Sequence, residues 1–357
     1  MKTSGDKFIR DRDAWNAYIK AFDLDVYYEY DYLSLDCESD DTPELFIYWN
    51  ESRTMLYPYM QRQIAGTPYF DTVTAYGYGG PVFFGRWTPE QVSEARSIFL
   101  ASCRSRSIIT ETVRFHPLLD NAHLGRSWVD ICRAVRPTTA VDLRRPLPDV
   151  LADIEGRSQR NIRKALRETV AVRKGGPDDL AVFIRLYWET MARRHAEDWY
   201  YFGQDYFNSL FLSDRIDAEL LVAEWGGEII AGCVVMYSSK YAHYHLGASS
   251  LAHLSHRPNH LLFREMIVEA SRRGKEFLHL GGGASADPND SLLVFKKTFT
   301  AGQEAMFYLG QSVIDSQAYG TACRDFLSRY SGAEESGWFP LYRTPLARLQ
   351  VAVADRP

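Results

Sequence analysis

The sequence predicts an α/β (α+β) protein of two tandem domains, each built around a mixed central sheet. Three observations carry that expectation. The chain has 357 residues, enough for about two domains at roughly 100–200 residues each. Short apolar, aromatic-rich runs alternate with segments of helical periodicity along its length. A break at Arg144-Arg145-Pro146-Leu147-Pro148 divides two such stretches, because two prolines and charge interrupt any regular element. Residues 1–145 then form the first domain and 146–310 the second, with the tail 311–357 expected to pack on the first. An apolar fraction of 46% and a charged fraction of 24% describe a globular chain, and 14% aromatics are too many for disorder.

In the first half, Asp13–Phe22 reads as a helix. Val26–Leu35, Glu44–Trp49, Thr54–Gln61 and Thr72–Tyr76 have strand character. Glu90–Ser102 is helical, with Val92, Ala95, Ile98 and Phe99 at helical spacing. Ser107–Arg114 and Arg133–Leu143 read as strands. In the second half, Leu151–Thr169 is expected as one amphipathic helix with Ile154, Ile162, Ala165, Leu166 and Thr169 on its buried side. Leu180–Arg194 and Asp205–Leu212 follow as helices. Glu219–Trp225 and Glu228–Ser238 are strands joined by Gly226-Gly227, a hairpin signal. Tyr241–Gly247 is a strand. Pro258–Arg273 is a helix with proline in its first turn. Glu276–Leu280 is a strand, Leu292–Phe299 a short helix and Glu304–Leu309 a last strand. No repeat of 20–50 residues is present, which excludes solenoids and propellers.

A net charge of −5 excludes coating of nucleic acid by bulk charge but leaves a local basic patch open. Five cysteines at 37, 103, 132, 233 and 323, scattered and odd in number, argue against a disulfide scaffold or a zinc site and fit a reducing compartment. The polar start Met-Lys-Thr-Ser-Gly-Asp-Lys has no apolar core of a secretion signal. The longest apolar run, Ile229 to Tyr237, is far short of the ~20 residues of a membrane span. A cytoplasmic location is the expectation.

One stretch stands out by charge. From Arg157 to Lys174 there are seven basic residues and one acidic residue. Arg157, Arg160, Lys164 and Arg167 recur at i, i+3, i+7 and i+10, one face of a helix, with Arg163 beside them. Such a stripe can track a nucleic-acid backbone; the same spacing also describes a solvated helix face. His243, His245, His253, His256 and His260 cluster in sequence, but no carboxylate or Cys nearby in sequence completes a metal set, so no metal is expected. Gly281-Gly282-Gly283 lacks a following Lys-Ser/Thr and is not a P-loop. Asp287 and Asp290 read as caps rather than catalysts.

The second-half order, strand–turn–strand–strand–helix–strand–helix–strand, resembles the GNAT acyltransferase core, and the first half is a rougher version of it. GNAT enzymes that use acyl-CoA carry an Arg/Gln-x-x-Gly-x-Gly/Ala loop, whose backbone N–H groups hold the pyrophosphate at a helix N-terminus. Here the place reads His256-Arg257-Pro258-Asn259-His260-Leu261. Both small residues are missing, and proline removes one donor. An acyl donor other than CoA fits better.

Several short segments together resemble the FemABX (Fem-like) aminoacyltransferases over about residues 25 to 310. They are Tyr76-Gly77-Tyr78-Gly79-Gly80-Pro81, Arg114-Phe115-His116-Pro117-Leu118, Arg160-Asn161-Ile162-Arg163-Lys164-Ala165 and Thr190-Met191-Ala192-Arg193. Tyr244-His245-Leu246-Gly247-Ala248, Leu280-Gly281-Gly282-Gly283 and Phe295-Lys296-Lys297-x-Phe299 complete the set. The resemblance implies twin GNAT-like domains and aminoacyl-tRNA as co-substrate, with no other cofactor. An acceptor amine attacks the ester on the 3′ end of tRNA, and the protein aligns the substrates and stabilises an oxyanion. It implies Lys296, of the Phe295-Lys296 pair, as the cation, with Lys297 competing for the role. It places Arg193, Tyr244, Phe295 and Tyr78 at the substrates, and the 157–167 stripe (Arg157, Arg160, Arg163, Lys164, Arg167) at the tRNA. Each has a plainer reading: a helix-end arginine, core packing for Tyr244, a turn around Tyr78, a surface lysine. The family's wall-building members carry an early lysine on a phosphate; here Tyr32-Leu33-Ser34-Leu35-Asp36 ends in an acid. Their coiled-coil arm is absent too. Both departures favour a small-molecule or peptide amine of a specialised metabolite as acceptor over a peptidoglycan precursor. The rivals are an acyl-CoA-dependent GNAT N-acyltransferase and an RNA-binding module on inactive GNAT folds.

Overall fold

The computed structural model describes residues 4–212, 215–345 and 349–351. In chain order the elements begin with β1 (Ser4–Ile9), α1 (Arg12–Ala21), α2 (Tyr30–Leu33), β2 (Thr42–Asn50), β3 (Arg53–Gln63), β4 (Phe70–Val73), β5 (Val82–Phe84), α3 (Pro89–Ser105), β6 (Ile108–Arg114), α4 (Ala122–Gly125) and β7 (Ile131–Asp142). They continue with α5 (Leu147–Ala152), α6 (Gly156–Arg167), β8 (Ala171–Lys174), α7 (Pro177–Arg193), α8 (Gln204–Leu212), β9 (Ala218–Trp225), β10 (Glu228–Tyr237), β11 (Tyr241–Ser249), α9 (Pro258–Arg272), β12 (Phe277–Gly282), α10 (Ser291–Lys297), β13 (Glu304–Val313), α11 (Ser316–Leu327), β14 (Tyr330–Ser331) and β15 (Gln350–Val351). Local chemistry sets many of the ends. Thr88 and Gln91 form a capping box at α3. Gly226 and Gly227, at φ +60 and +85, supply the two left-handed residues of a tight β9–β10 hairpin.

The chain divides into two compact units. One comprises residues 1–18, 36–135 and 307–357, the other 19–35 and 136–306. In the first unit the sheet runs β1-β2-β3-β4-β6-β13. It is antiparallel except for the β4–β6 pair. Phe46, Tyr57, Phe99, Val113 and Trp128 form its core. A second cluster joins Ile64 and Ile109 to Ala318, Ala322, Phe326 and Tyr342, so the tail packs within this unit. In the second unit the sheet runs β7-β12-β11-β10-β9-β8, antiparallel except for β11–β12. Both sheets are mixed, as the sequence predicts, and both have two antiparallel steps followed by a parallel step with a helix, α3 or α9, between the parallel strands in sequence.

The observed division differs from a single cut at 145/146. β7 begins in the first unit and pairs with β12 in the second at residues 138–142, while β13 ends in the first unit, paired with β6. Residues 19–35 also pack in the second unit. A proline-rich break marks where a helix begins, and carries no record of which sheet the preceding strand joins.

Three local expectations are corrected. Val26–Leu35 is not a strand: Asp25 accepts the Val26 N–H at 2.7 Å and caps a 3₁₀ turn that leads into α2. Its apolar residues Val26, Tyr27 and Tyr28 are consecutive and all buried, not alternating. The expected helix 151–169 is two helices, because the Glu155 N–H turns away to the Thr298 carbonyl at 2.8 Å. On α6, Ile162 and Ala165 are buried, but Leu166 is 51% exposed and Thr169 is also exposed. The short strands β1 and β8 have no counterpart in the sequence reading.

Candidate active site

The site grows from the parallel pair in the second unit. β11 and β12 are in register only at Tyr241–Phe277, Ala242–Leu278 and His243–His279. Beyond that point β12 pairs with β7, Gly281 opposite Thr139 and Gly282 opposite Thr138, while β11 runs on to Ser249 along β10. The two strands therefore part and leave a wedge. Lys296, on α10, fills it. The side chain is 5% exposed, its Nζ donates to the Gly282 carbonyl at 2.7 Å, and it stands 5.3 Å from the centre of the Tyr244 ring. Burial, then the Arg194 guanidinium and more weakly Arg136, push the Lys296 ammonium down to about 7, against the pull of Asp290. A buried lysine poised near neutrality, with an aromatic face beneath it, is the arrangement expected where negative charge develops during a reaction.

α10 is set by Asp290, whose Oδ1 accepts the N–H groups of Leu292 at 2.9 Å and Leu293 at 3.1 Å. Its Oδ2 accepts from the Ser285 N–H and hydroxyl, each at 3.0 Å. The expected cap is present. Asp287 likewise accepts the Asn289 N–H. Tyr244 sits against Gly247 so closely that a Cβ there would collide with its hydroxyl. The ring also packs on Phe263 at 5.0 Å, and burial raises the phenol well above its ordinary value.

The other candidates fall in different places. Arg193 is tied to the end of β11, its Nη2 3.3 Å from the Ser249 carbonyl. The next residue, Arg194, is exposed and is the arginine whose charge reaches both Lys296 and Tyr244. Adjacent helical residues point about 100° apart, and a sequence motif does not choose between them. Phe295 packs away from the wedge, on His260, Phe263 and Phe299. Lys297 pairs with Glu304 at 2.6 Å. Arg136 and Arg194 carry no sequence signal of their own; contacts brought together by the fold single them out.

Tyr78 lies in the first unit, edge-on to His116 and Phe307. Its loop is a stapled turn: Asn121 Nδ2 donates to the Gly79 and Pro81 carbonyls at 2.8 and 3.1 Å. Asp36 accepts the Tyr76 N–H at 3.2 Å; burial raises its carboxyl, with Tyr76 and Arg114 opposing.

At the start of α9, Arg257 is left-handed at φ +61 and Pro258 occupies the first helical position. No glycine lies in this turn. On α6, Arg157, Arg160, Arg163 and Arg167 are exposed and make no ion pair among the described residues, while Lys164 pairs with Glu168 at 3.6 Å. Arg157 and Arg257 both act, after burial, to lower His260 to about 4, so the stripe continues to the head of α9.

The histidines do not act as one group. His243 is buried against Asp25 at 2.7 Å, a carboxylate the sequence reading did not bring near it. His245 meets the Tyr206 hydroxyl at 2.6 Å and is held neutral by burial, with its proton affinity lowered to about 3. His256 pairs with Glu168 and stacks on Trp225 at 4.1 Å.

Residues 156–290, which carry β11 and β12 but end before α10 and Lys296, match the acetyltransferase (GNAT) domain family. Among solved structures, FemX matches with a TM-score of 0.66 at 14% identity, over 88% of this chain and 99% of that one. The C-terminal domain of a putative lysylphosphatidylglycerol synthetase from Agrobacterium fabrum matches with a TM-score of 0.53 at 14% identity, over 88% and 96%. L-PGS from Bacillus licheniformis matches with a TM-score of 0.53 at 13% identity, over 84% and 92%. No curated protein matches the sequence. The chain has the Fem-like twin-GNAT fold.

Proposed function

We propose that this chain is an aminoacyl-tRNA-dependent aminoacyltransferase that forms one amide bond by aminolysis of the tRNA ester. The observation that carries the reading is the pairing of a buried Lys296 in the β11–β12 wedge with a helix start at Arg257-Pro258 that has no glycine cradle for a pyrophosphate. The FemX-like fold and the exposed arginines of α6 support it.

In this mechanism the neutral acceptor amine attacks the ester carbonyl. The C–N bond forms as the carbonyl oxygen takes up negative charge, which the Lys296 ammonium stabilises. Collapse of the intermediate breaks the bond to the ribose oxygen, and the proton that the amine loses ends, by way of solvent, on that departing oxygen. The ester is already activated, so alignment and charge stabilisation suffice. Arg194 and Tyr244 line the approach, while Arg193 braces the end of β11 and Phe295 backs the Phe263 ring on which Tyr244 packs. The acceptor is a small-molecule or peptide amine, ahead of a peptidoglycan precursor, and the reaction needs no metal and is cytoplasmic. Asp36 favours that order, since a carboxylate repels phosphate.

The match to the acetyltransferase (GNAT) domain favours a second reading, acyl-CoA-dependent N-acylation. Calorimetry with coenzyme A separates the two. The tRNA reading predicts no pyrophosphate-dependent binding, and transfer of labelled amino acid from total charged tRNA to a panel of amines. Tight coenzyme A binding with no transfer from tRNA would refute it.

A further inference from the structure

The three glycines at the end of β12 lie between side chains of defined charge. Gly281 adopts φ +74, and a Cβ on it would sit 3.5 Å from Lys296 Nζ. Gly282 gives its carbonyl to Lys296, and a Cβ on it would meet the Pro137 carbonyl at 2.9 Å and the Arg136 side chain at 3.1 Å. A Cβ on Gly283 would collide with the Asp290 carboxylate. Arg136 Nη1 donates to the Gly283 carbonyl at 3.0 Å. Lys296, Arg136 and Asp290 thus close on one glycine turn, in which space restricts positions 282 and 283 and the left-handed backbone restricts 281.

We propose that Asp290 is a positioning residue for Lys296, setting the charge as well as the place of that ammonium. The carboxylate fixes both ends of the loop: it holds Ser285 and the first N–H groups of α10, and α10 carries Lys296. Among the described residues it is the one acid of the groups whose charge acts most on Lys296. These are Arg194 at the end of α7, Arg136 on β7 and Asp290, with the neutral Tyr244 ring on β11; on α10 itself, Lys297 is paired to Glu304. Burial opposes the charge on Asp290, yet the N–H groups of Leu293, Ala284 and Ser285 and the Ser285 hydroxyl hold the carboxyl below its ordinary value. It is therefore ionised whenever Lys296 titrates. Two arginines without this acid would drive Lys296 towards its neutral form.

The role of Lys296 in catalysis rests on the proposed function; its dependence on Asp290 does not, and one titration tells them apart. The full-length protein, labelled at lysine Cε, is titrated by NMR, with Lys296 assigned through Lys296→Arg; nine lysines keep the spectrum resolvable. Asp290→Asn and Asp290→Ser both retain an N-capping side chain and remove the charge. Both should lower the Lys296 midpoint by about one pH unit, and with it cut turnover at pH 7 roughly five-fold and move its alkaline limb to lower pH. An unshifted Lys296 midpoint in folded variants overturns the proposal, even if both lose activity. A shifted midpoint in a protein that transfers nothing from charged tRNA sustains it and overturns the tRNA reading instead.

Discussion

A lysine as buried as Lys296 costs the folded state the hydration of its ammonium. Its proton affinity falls from the ordinary 10.5 to about 7. Between those values the unfolded chain holds a proton that the folded chain has released, so stability rises with pH across that window. Where the group is charged, near and below pH 7, it opposes folding. Lys296→Met should therefore raise the melting temperature at pH 6 while lowering turnover by about 10²–10³, the typical loss for one oxyanion donor; calorimetric melting and initial rates check both halves. At a fixed concentration of neutral acceptor amine, the wild-type rate should fall as pH rises through 7, because only the ammonium acts on the oxyanion; a rise under that condition would mark Lys296 as a base. Gly247 makes a second residue-scale test. Gly247→Ala drives a methyl into the Tyr244 hydroxyl and should cost about 1–3 kcal/mol by overpacking. Tyr244→Phe removes the nearest obstructing atom but leaves ring carbons at 2.8 and 3.0 Å, so the double variant should recover only part of that stability in chemical denaturation. Lys296 and Tyr244 stand out in the sequence through their motifs, and the fold brings the two side chains together. Arg194, Arg136 and Asp290's second role do not, because each depends on an approach between segments far apart in the chain.

Among the elements, those governed by local chemistry were the readable ones. α3 has a capping box and an initial proline, the β9–β10 turn has paired glycines, and α9 begins on proline. Residues 26–35 misled because Val and Tyr favour strands, whereas the Asp25 cap and the burial of consecutive side chains decided for turns. The split between α5 and α6 depends on the distant Thr298 carbonyl, which no local pattern reveals. α6 itself presents its arginines outward. Reversing Arg157, Arg160, Arg163 and Arg167 to Glu should weaken binding of charged tRNA and reduce the slope of log affinity against log salt by about 0.7–0.9 for each phosphate that is no longer neutralised. Fluorescence anisotropy across a salt series measures it. An unchanged slope would make the stripe a solvated face.

For the whole molecule, the mixed sheets and twin-GNAT fold could be inferred from the order of elements. The discontinuous units could not. β7 and β13 each start in one unit and end in the other, and 19–35 packs with the second; periodicity describes an element and not its sheet. What the two units accomplish rests on one claim, that the acyl group arrives on RNA and not on coenzyme A. The most direct measurement is turnover of the full chain with labelled, charged tRNA and an amine acceptor, run with and without ribonuclease and with acetyl-CoA in a parallel arm. The account predicts an amide product that ribonuclease pretreatment abolishes and acetyl-CoA does not replace. Product that survives ribonuclease and follows added acetyl-CoA would contradict it.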